Sequence, residues 1–370
     1  MTFYELFQEY NWEQVQNSIY AKTAVDVETA LRKTKKTIED FKALISPAAK
    51  PFLEQIASES HHVTQKRFGK TIQLYVPLYL SNECTNSCVY CGFRHENETT
   101  RLTLEKDQVL KEIEVIKKMG YEHILIVTGE HPRKNGFNYL KEMLKIIQPH
   151  FAQVSMEVAP MNTDEYKALV DDGLHSVYIY QETYHQDRYP NYHPRGKKAN
   201  MQYRLETADR LGKAGIRKIG LGCLLGLEDW RTDSFFTALH LSYLEKKWWR
   251  TKYSISFPRI RPFAGSYSPN YEVTDADLLQ LICAYRLFNE EVEIALSTRE
   301  QPLFRDNMMQ LGVTSMSAGS KTQPGGYAEE SMELEQFEVS DNRSSHQIAN
   351  MIKNKGYEVV WKDWDECLQR

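Results

Sequence analysis

The sequence predicts an α/β fold, a closed (βα)8 barrel that carries a helical N-terminal extension and a short C-terminal cap. Short apolar runs alternate about eight times with helical patterns, which is typical of a parallel sheet with helical crossovers. These units occupy about 250 residues, the usual length of a closed barrel. The predicted boundaries are 1–70 for the extension, 71–320 for the barrel with its functional sites and 321–370 for the cap.

Composition excludes several classes of partner. The chain has 370 residues, a net charge of −4 and 41% hydrophobic residues, so it lacks the basic surface expected of a nucleic-acid-binding protein. No apolar run approaches the roughly 18 residues of a membrane span, and no signal peptide is seen at the N-terminus. Reduced cysteines indicate the cytoplasm. We therefore expect a cytoplasmic protein with no nucleic-acid or membrane partner.

The N-terminal extension is predicted to be helical. Aromatic and aliphatic residues recur near helical spacing from Phe3 to Tyr10 and again over residues 24–35. Pro47 and Pro51 bracket the start of a further helix. Because no chemistry-bearing motif lies here, we expect this region to cap the barrel.

A strand pattern begins at residue 71, where Ile72, Leu74, Val76 and Leu78 alternate with polar and aromatic residues. Seven further strands are predicted at residues 123–127, 153–158, 176–180, 219–224, 253–257, 292–296 and 313–317. Predicted helices cover residues 102–119, 139–147, 163–172, 200–213, 233–247, 275–289, 303–309 and 345–355. Barrel enzymes place their chemistry on loops at the C-terminal ends of strands, so candidate functional residues are sought there.

Three cysteines, Cys84, Cys88 and Cys91, follow the first predicted strand. Three thiols cannot all pair in disulfides, and soft thiolates favour zinc or an iron–sulfur cluster. A structural zinc site takes four ligands, and His95 would complete a Cys3His set. Three cysteines with one open position instead suit a [4Fe–4S] cluster that has one iron free for another ligand.

The pattern Cys-x3-Cys-x2-Cys, with Tyr90 directly before the last cysteine, resembles the radical S-adenosylmethionine (SAM) superfamily. The resemblance implies a [4Fe–4S] cluster held by Cys84, Cys88 and Cys91. It also implies a SAM molecule that chelates the open iron through its amino and carboxylate groups. Tyr90 would then pack near the adenine, and the alternative is simple packing under the loop.

Two further strand ends resemble SAM-binding elements of this superfamily. Thr128-Gly129-Glu130 resembles the Gly-Gly-Glu element that receives the SAM ammonium, with Thr in place of the first Gly. A carboxylate in this position accepts charge-assisted hydrogen bonds from an ammonium. Glu157, after the third strand, is implied to bind the ribose hydroxyls, and the alternative is a solvated surface residue.

Two basic residues and a glycine complete the implied SAM site. Lys198 or Arg204 would meet the SAM carboxylate, and the sequence does not separate them. Arg204 would otherwise pair with Glu206 or Asp209 on its own helix. Gly222 belongs to a glycine-rich strand that resembles the one along which the adenine approaches the backbone in this superfamily.

Gln181 and Glu182 follow the fourth strand, within a polar and aromatic run that ends at Tyr184. Polar residues at the end of an apolar strand suit a ligand better than a core. We therefore select Gln181 and Glu182 as candidate catalytic residues, without ordering them by role.

Arg299, after the seventh strand, together with Ser315 and Ser317 of the eighth, resembles the aromatic amino acid lyase branch of the superfamily. In that branch an arginine and serines hold the carboxylate of a free amino acid, a task that suits a bidentate guanidinium. The alternative for Arg299 is a structural ion pair with Glu300 or Glu291.

Within that branch, the resemblance is to the tyrosine lyases of thiazole (thiamin) biosynthesis. It implies cleavage of the Cα–Cβ bond of L-tyrosine to 2-iminoacetate and p-cresol, with SAM converted to 5′-deoxyadenosine and methionine. The implied partners are a thiazole synthase protein, for which Trp361 and Trp364 would form a contact, and an electron donor of the flavodoxin or ferredoxin type.

Other radical SAM lyases are the main alternative. The related hydrogenase-maturation lyases carry a second cluster, whereas only Cys367 lies beyond Cys283 in this chain, so we expect no second cluster. A maturation enzyme without its extension, a tryptophan-type lyase and a zinc-stabilised barrel without catalytic activity stay open as alternatives.

Overall fold

Five helices form the N-terminal part of the computed structural model, which describes residues 1–263, 267–329 and 335–363. Thr2, Thr23 and Thr37 cap three of them, and each is paired with an acidic residue three positions on in a capping box. The helices are α1 (Phe3–Phe7), α2 (Trp12–Tyr20), α3 (Ala24–Arg32), α4 (Ile38–Ile45) and α5 (Leu53–Phe68).

Eight parallel strands close into a barrel, which confirms the predicted fold class. They are β1 (Thr71–Ser81), β2 (His123–Thr128), β3 (Gln153–Glu157), β4 (Ser176–Tyr178), β5 (Lys218–Gly222), β6 (Lys252–Ser256), β7 (Glu293–Leu296) and β8 (Ser315–Ser317). Each pairs with the next along the chain, and β8 returns to β1, where Tyr75 lies opposite Ser317. The division of the chain at residues 70 and 320 stays a prediction.

The alternation of β1 sets the two layers of the barrel. Leu74, Val76 and Leu78 are fully buried in the large core shared with the helices. The intervening Tyr75 and Tyr79 belong to a second apolar cluster with strand residues of β2 and β4 and with the cysteine loop. Successive strand residues face opposite sides, so Tyr75 and Tyr79 lie inside the barrel.

Ten helices accompany and follow the strands. The predicted helix over residues 200–213 is divided at Glu206, and the carbonyl of Tyr203 accepts hydrogen bonds from the side chains of Thr207 and Arg210. No helix in the described ranges is both long and apolar enough to cross a bilayer. The helices are α6 (Lys106–Lys118), α7 (Phe137–Ile147), α8 (Thr163–Asp171), α9 (Tyr189–Tyr192), α10 (Met201–Leu205), α11 (Thr207–Ala214), α12 (Trp230–Lys247), α13 (Asp275–Phe288), α14 (Pro302–Met308) and α15 (Ser345–Asn354).

A ninth strand, β9 (Glu358–Val360), pairs with the first residues of β1. Trp361 follows it and packs on Tyr121 with ring centroids 5.5 Å apart. Trp364 and Cys367 lie outside the described residues. A contact of the two tryptophans with a partner protein stays a prediction.

Residues 335–343, here called the C-terminal strap, cross the C-terminal ends of the strands. Backbone N–H groups of the strap donate to three loop carbonyls: Gln336 to Thr322 at 3.0 Å, Glu338 to Pro262 at 2.9 Å and Ser340 to Thr298 at 3.0 Å. Near its end, Asp341 forms a fully buried ion pair with Arg305 of α14. The strap is therefore attached to the loops that follow β6, β7 and β8.

Asp341→Ala is expected to destabilise the protein by about 3–5 kcal/mol, because it leaves the buried charge of Arg305 without its partner. Asp306→Ala is the matched control: Asp306 pairs with Arg343 at 2.8 Å near the surface, and such pairs contribute at most about 1 kcal/mol. Urea unfolding of both variants measures the difference. Equal losses would contradict the role of the buried pair.

Candidate active site

The C-terminal ends of the strands surround a cavity that encloses about 1370 Å³ of empty space, its open mouth included. Most of the residues predicted from the sequence line it, namely Cys84, Cys88, Tyr90, Cys91, Thr128, Glu130, Glu157, Glu182, Lys198, Arg204, Arg299 and Ser317.

Three cysteine side chains reach the cavity from the loop after β1. Cys84, Cys88 and Cys91 are free of disulfides. Burial raises the pKa of all three thiols, that of Cys84 to about 11. The backbone N–H groups of Asn86 and Glu130 act in the opposite direction on the pKa of Cys84. Because metal coordination deprotonates a thiol outright, this buried donor set fits a metal centre with three protein ligands.

The alternative zinc site is not formed. Within the described ranges, no three His, Cys, Asp or Glu side chains are arranged to hold a single metal ion, whereas zinc needs every sulfur about 2.3 Å away. His95 is exposed and does not line the cavity. An iron–sulfur cluster spreads its cysteines over several irons. The three cysteines therefore fit a cluster better than a zinc ion.

The turn after β2 lies directly against the cysteine loop. A Cβ on Gly129 would collide with the carbonyl oxygen of Glu83 and lie 3.1 Å from the Cβ of Cys84. The carbonyl of Glu130 accepts the N–H of Thr85 at 3.0 Å. Glycine is thus required for this close approach, although Gly129 itself does not line the cavity.

Two carboxylates and two cations form a buried network in the cavity wall. Glu130 accepts hydrogen bonds from Arg204 at 3.1 Å and from the amide of Asn86 at 2.8 Å. Lys198 donates to Glu182 at 2.6 Å. All four charged side chains are at most 12% exposed. A zwitterionic head group placed here would meet acceptors for its ammonium and donors for its carboxylate.

Glu182 has a strained backbone. Its φ of 71° is the only positive φ of a non-glycine residue in the described part of the chain. A left-handed conformation costs such a residue roughly 1–2 kcal/mol, and strain of this kind concentrates at functional sites. The carbonyl of Glu182 accepts the N–H of Leu224 at 2.8 Å, which continues the pairing of the strand ends.

Tyr90 and Thr128 line the cavity near this network. The Tyr90 hydroxyl is hydrogen-bonded to Nε2 of His193 at 2.7 Å, and the Lys198 ammonium lies 5.6 Å from the Tyr90 ring centroid. The buried hydroxyl of Thr128 has no hydrogen-bond partner among the described residues. Because buried polar groups are usually paired, this hydroxyl fits contact with a ligand.

Glu157 lies lower in the cavity, close to the interior tyrosines. Burial, and after it the charge of Glu182, raise the pKa of Glu157 to about 7, although Arg299 and Lys198 act in the opposite direction. The same carboxylate contributes to the raised pKa of Tyr180. Glu157 lines the cavity, so the alternative of a solvated surface residue is wrong.

Glu157→Gln is expected to stabilise the metal-free protein more at pH 8 than at pH 5. The pKa of Glu157 is about 7 in the folded state against a usual value of 4.5. The stabilising contribution of protonated Glu157 is therefore fully present below the unfolded pKa of 4.5, and it is lost as pH rises through the folded pKa of about 7. Glutamine does not titrate, so the variant keeps its stability at pH 8. At about 1.4 kcal/mol per pKa unit, the two pH values should differ by about 2–3 kcal/mol. Anaerobic urea unfolding measures this, and equal effects at both pH values would contradict it.

Arg299 has no carboxylate partner among the described residues. Glu300 accepts instead from Arg261 at 2.7 Å and from a second arginine of the same loop. Glu291 pairs with Arg67. The alternative of a structural ion pair for Arg299 is therefore wrong.

The guanidinium of Arg299 lies 3.3 Å from the centroid of the Phe337 ring. Burial lowers the pKa of Arg299, which reflects the cost of a cation removed from water. Ser317, on the neighbouring strand, accepts the N–H of Thr298 at 3.1 Å and also lines the cavity. A buried cation without an anion fits the carboxylate of a ligand.

Two predicted catalytic residues are buried outside the cavity. Tyr180 and Glu182, the neighbours of Gln181, line the cavity, whereas Gln181 does not. Ser315 precedes Ser317 by two residues and pairs with Gln73, deeper in the barrel. Neither lines the cavity, and their catalytic roles stay predictions.

Gly222 does not line the cavity either. A Cβ there would collide with the carbonyl oxygen of Ser256 on the neighbouring strand and lie 3.0 Å from the Tyr180 ring. The glycine is required by packing between β5 and β6, and its contact with an adenine stays a prediction.

The strap residues are not among those that the sequence predicts for the site. Gln336 and Phe337 line the cavity although they follow β8. No hydrophobic period marks where a returning loop will lie, and the only local signal was an aromatic residue within an acidic run.

Two family models match the chain over these elements. One is described as the radical SAM superfamily and covers residues 78–237, from β1 into α12. The other is described as the biotin and thiamin synthesis associated domain and covers residues 256–358. Together with the three-cysteine loop at the mouth of a parallel barrel, they define a radical SAM protein, a superfamily that binds a [4Fe–4S] cluster and SAM.

The chain is 46% identical over 370 residues to the 2-iminoacetate synthases of Escherichia coli and Salmonella typhimurium, which covers all of this chain and 98% of each relative. It therefore belongs to the 2-iminoacetate synthase family. Among solved structures, HydG, a maturase of the [FeFe]-hydrogenase, is similar with a TM-score of 0.89 and 32% identity over 94% of this chain and 80% of HydG.

Proposed function

We infer that this chain is a radical SAM lyase that cleaves the Cα–Cβ bond of L-tyrosine to 2-iminoacetate and p-cresol. The observation that carries the inference is a cavity lined both by three cysteines and by Arg299, which has no carboxylate partner among the described residues, in a chain that is 46% identical along its whole length to 2-iminoacetate synthases. The product would supply the thiazole moiety of thiamin.

The residues present fit the cofactors of the superfamily. Cys84, Cys88 and Cys91 would hold three irons of the [4Fe–4S] cluster and leave the fourth to SAM. When bound, these groups supply a hydrogen-abstracting radical by one-electron reductive cleavage of SAM to methionine and, after abstraction, 5′-deoxyadenosine. The unpaired Thr128 hydroxyl and the strained Glu182 support a ligand at this wall.

The charged network would orient the SAM head group. Glu130 presents a carboxylate to the ammonium, and Arg204 and Lys198 present cations to the carboxylate. Both cations line the cavity, and both are already paired with a glutamate, so each remains a candidate. Glu157, deeper in the cavity, is proposed to bind the ribose hydroxyls.

The opposite side of the cavity would hold L-tyrosine. Arg299 would take the carboxylate in a bidentate pair, with the Ser317 hydroxyl as a further contact. The Phe337 ring against the guanidinium keeps that planar group oriented. Attachment of the strap to the loops after β6, β7 and β8 would limit water access to a reactive intermediate.

Two partners belong to the proposal. A flavodoxin or ferredoxin would donate electrons, and a thiazole synthase protein would accept 2-iminoacetate, an imine that water hydrolyses. We place these steps in the cytoplasm, where a reduced cluster is maintained.

The test is an anaerobic assay of cluster-reconstituted protein with SAM, dithionite and L-tyrosine, with products identified by mass spectrometry. Formation of 5′-deoxyadenosine, p-cresol and glyoxylate, the hydrolysis product of 2-iminoacetate, is expected without carbon monoxide. Carbon monoxide with p-cresol would favour a hydrogenase-maturation lyase. Formation of 5′-deoxyadenosine without p-cresol would exclude tyrosine as the substrate.

A further inference from the structure

Gln336 of the C-terminal strap contacts the cysteine loop through its side chain and its backbone. Its Nε2 lies 3.6 Å from the sulfur of Cys91, within hydrogen-bonding range for sulfur. Its Oε1 accepts the hydroxyl of Tyr79 at 2.8 Å. Its carbonyl accepts the N–H of Gly92 at 3.1 Å. One residue of the strap is thus joined to the cysteine loop and to β1.

The hydrogen bond from Tyr79 fixes the orientation of the Gln336 amide. A hydroxyl donates to the carbonyl oxygen of an amide, which leaves the NH2 group on the other side. That side faces the sulfur of Cys91, and a ligating thiolate only accepts hydrogen bonds. The reversed amide would place its oxygen against a negatively charged sulfur.

The three cysteines differ in the donors around them. The backbone N–H groups of Glu130 and Asn86 lower the pKa of Cys84. The backbone N–H of Phe93 lowers that of Cys91, and the Cys91 sulfur also accepts a hydrogen bond from the side chain of Gln336. Among the described residues, only Cys91 of the three cysteines therefore accepts a hydrogen bond from a side chain. A substitution at Gln336 can remove this donor without altering the backbone of the cysteine loop.

Gly92 makes room for the strap. A Cβ on Gly92 would lie 2.7 Å from the carbonyl oxygen of Gln336 and 2.8 Å from that of Glu335. Real side chains essentially never approach backbone oxygens so closely. Only glycine at position 92 therefore lets the strap backbone approach this closely. Gly129 allows the same kind of close approach at the start of the cysteine loop.

We propose that Gln336 is a positioning residue that sets the reduction potential of the cluster through its N–H···S bond to Cys91. Donors near a cluster sulfur stabilise the more negative, reduced state and raise the potential, and the effect is stronger in a site of low dielectric. The next residue, Phe337, contacts Arg299, so the strap also links the cluster to the substrate side of the cavity. The inference rests on the proposed function insofar as Cys91 ligates a cluster.

The test is an EPR-monitored redox titration of the reconstituted protein without SAM or tyrosine. Gln336→Leu removes the donor at similar volume, and its midpoint potential is expected to be more negative than that of the wild type. Gln336→Glu keeps an acceptor for Tyr79 and adds a negative charge, so a larger negative shift is expected. Gln186→Leu is the matched control, since Gln186 is an exposed amide whose partner is Gln8 at 2.9 Å, and it should not shift the potential.

A second variant keeps the test decisive if Gln336→Leu does not retain its cluster. Tyr79→Phe frees the amide of Gln336 to rotate and should shift the potential in the same direction by a smaller amount. An unchanged midpoint potential in the loaded variants would overturn the role of Gln336. Absence of a [4Fe–4S] signal from the wild type would instead overturn the proposed function, so the two failures are distinguishable.

Discussion

Replacement of Cys88 by alanine is expected to abolish SAM cleavage. Cys88 is buried at the cavity wall and its sulfur is one of three available to the cluster. Two cysteines cannot hold a cubane that already lacks one protein ligand. The expected loss of 5′-deoxyadenosine formation is at least about a thousandfold, or about 4 kcal/mol of barrier. Iron and sulfide content, the EPR signal of the reduced protein and 5′-deoxyadenosine yield measure it together.

Cys283→Ala is the matched control for Cys88→Ala. Cys283 is fully buried in α13 and does not line the cavity, so its loss should cost only the packing of one small side chain, about 1 kcal/mol. The control protein should take up iron and cleave SAM as the wild type does. Normal SAM cleavage by Cys88→Ala, or equal losses in both variants, would contradict the assignment of the cysteine loop.

The fold and much of the site could be predicted because a parallel barrel gives strand ends a common location. Cys84, Glu130, Glu157, Glu182 and Arg299 are far apart in sequence, but each lies near the end of a predicted strand or in the loop after it. Parallel strands in a closed barrel end on one face, and all five residues line one cavity. Position along the chain was therefore enough to bring them together.

Gln181 and Ser315 are the predicted catalytic residues that do not line the cavity. The sequence places Gln181 beside Glu182, yet period-two alternation allows only one of two neighbours to face the cavity. Tyr180 and Glu182 line the cavity and Gln181 does not. Ser315 lies two residues before Ser317, which lines the cavity, and it pairs with Gln73 of β1.

The strap could not be predicted because its position depends on contacts between distant segments. Gln336 reaches Tyr79 and Cys91, which precede it by more than two hundred residues. Buried charges hold the end of the strap through Asp341 and Arg305. Neither hydrophobic period nor spacing encodes such pairs, whereas the cysteine motif is encoded within a few residues.

Arg299→Ala is expected to lower kcat/KM for L-tyrosine by about 100- to 1,000-fold, with the EPR signal of the cluster unchanged. Truncation of one partner of a buried charge pair costs about 2–5 kcal/mol, and each 1.4 kcal/mol is a factor of ten. Arg299 can form such a pair with the carboxylate of a ligand because Glu300, the acidic residue next to it in the chain, already pairs with Arg261. Arg299→Lys should recover only part of the loss, since an ammonium keeps the charge but not the bidentate geometry.

The carboxylate contact can be separated from general damage to the cavity by comparing L-tyrosine with tyramine, which lacks the carboxylate. Binding is measured by calorimetry in the oxidised, cluster-loaded protein with SAM, where no turnover occurs. The wild type should prefer L-tyrosine, and Arg299→Ala should lose most of that preference through weaker binding of L-tyrosine alone. Arg67→Ala, at a surface ion pair 39% exposed, is the control and should leave both affinities unchanged. If Arg299→Ala prefers L-tyrosine over tyramine as strongly as the wild type does, Arg299 does not bind the substrate carboxylate. Another cation of the cavity would then have to bind it.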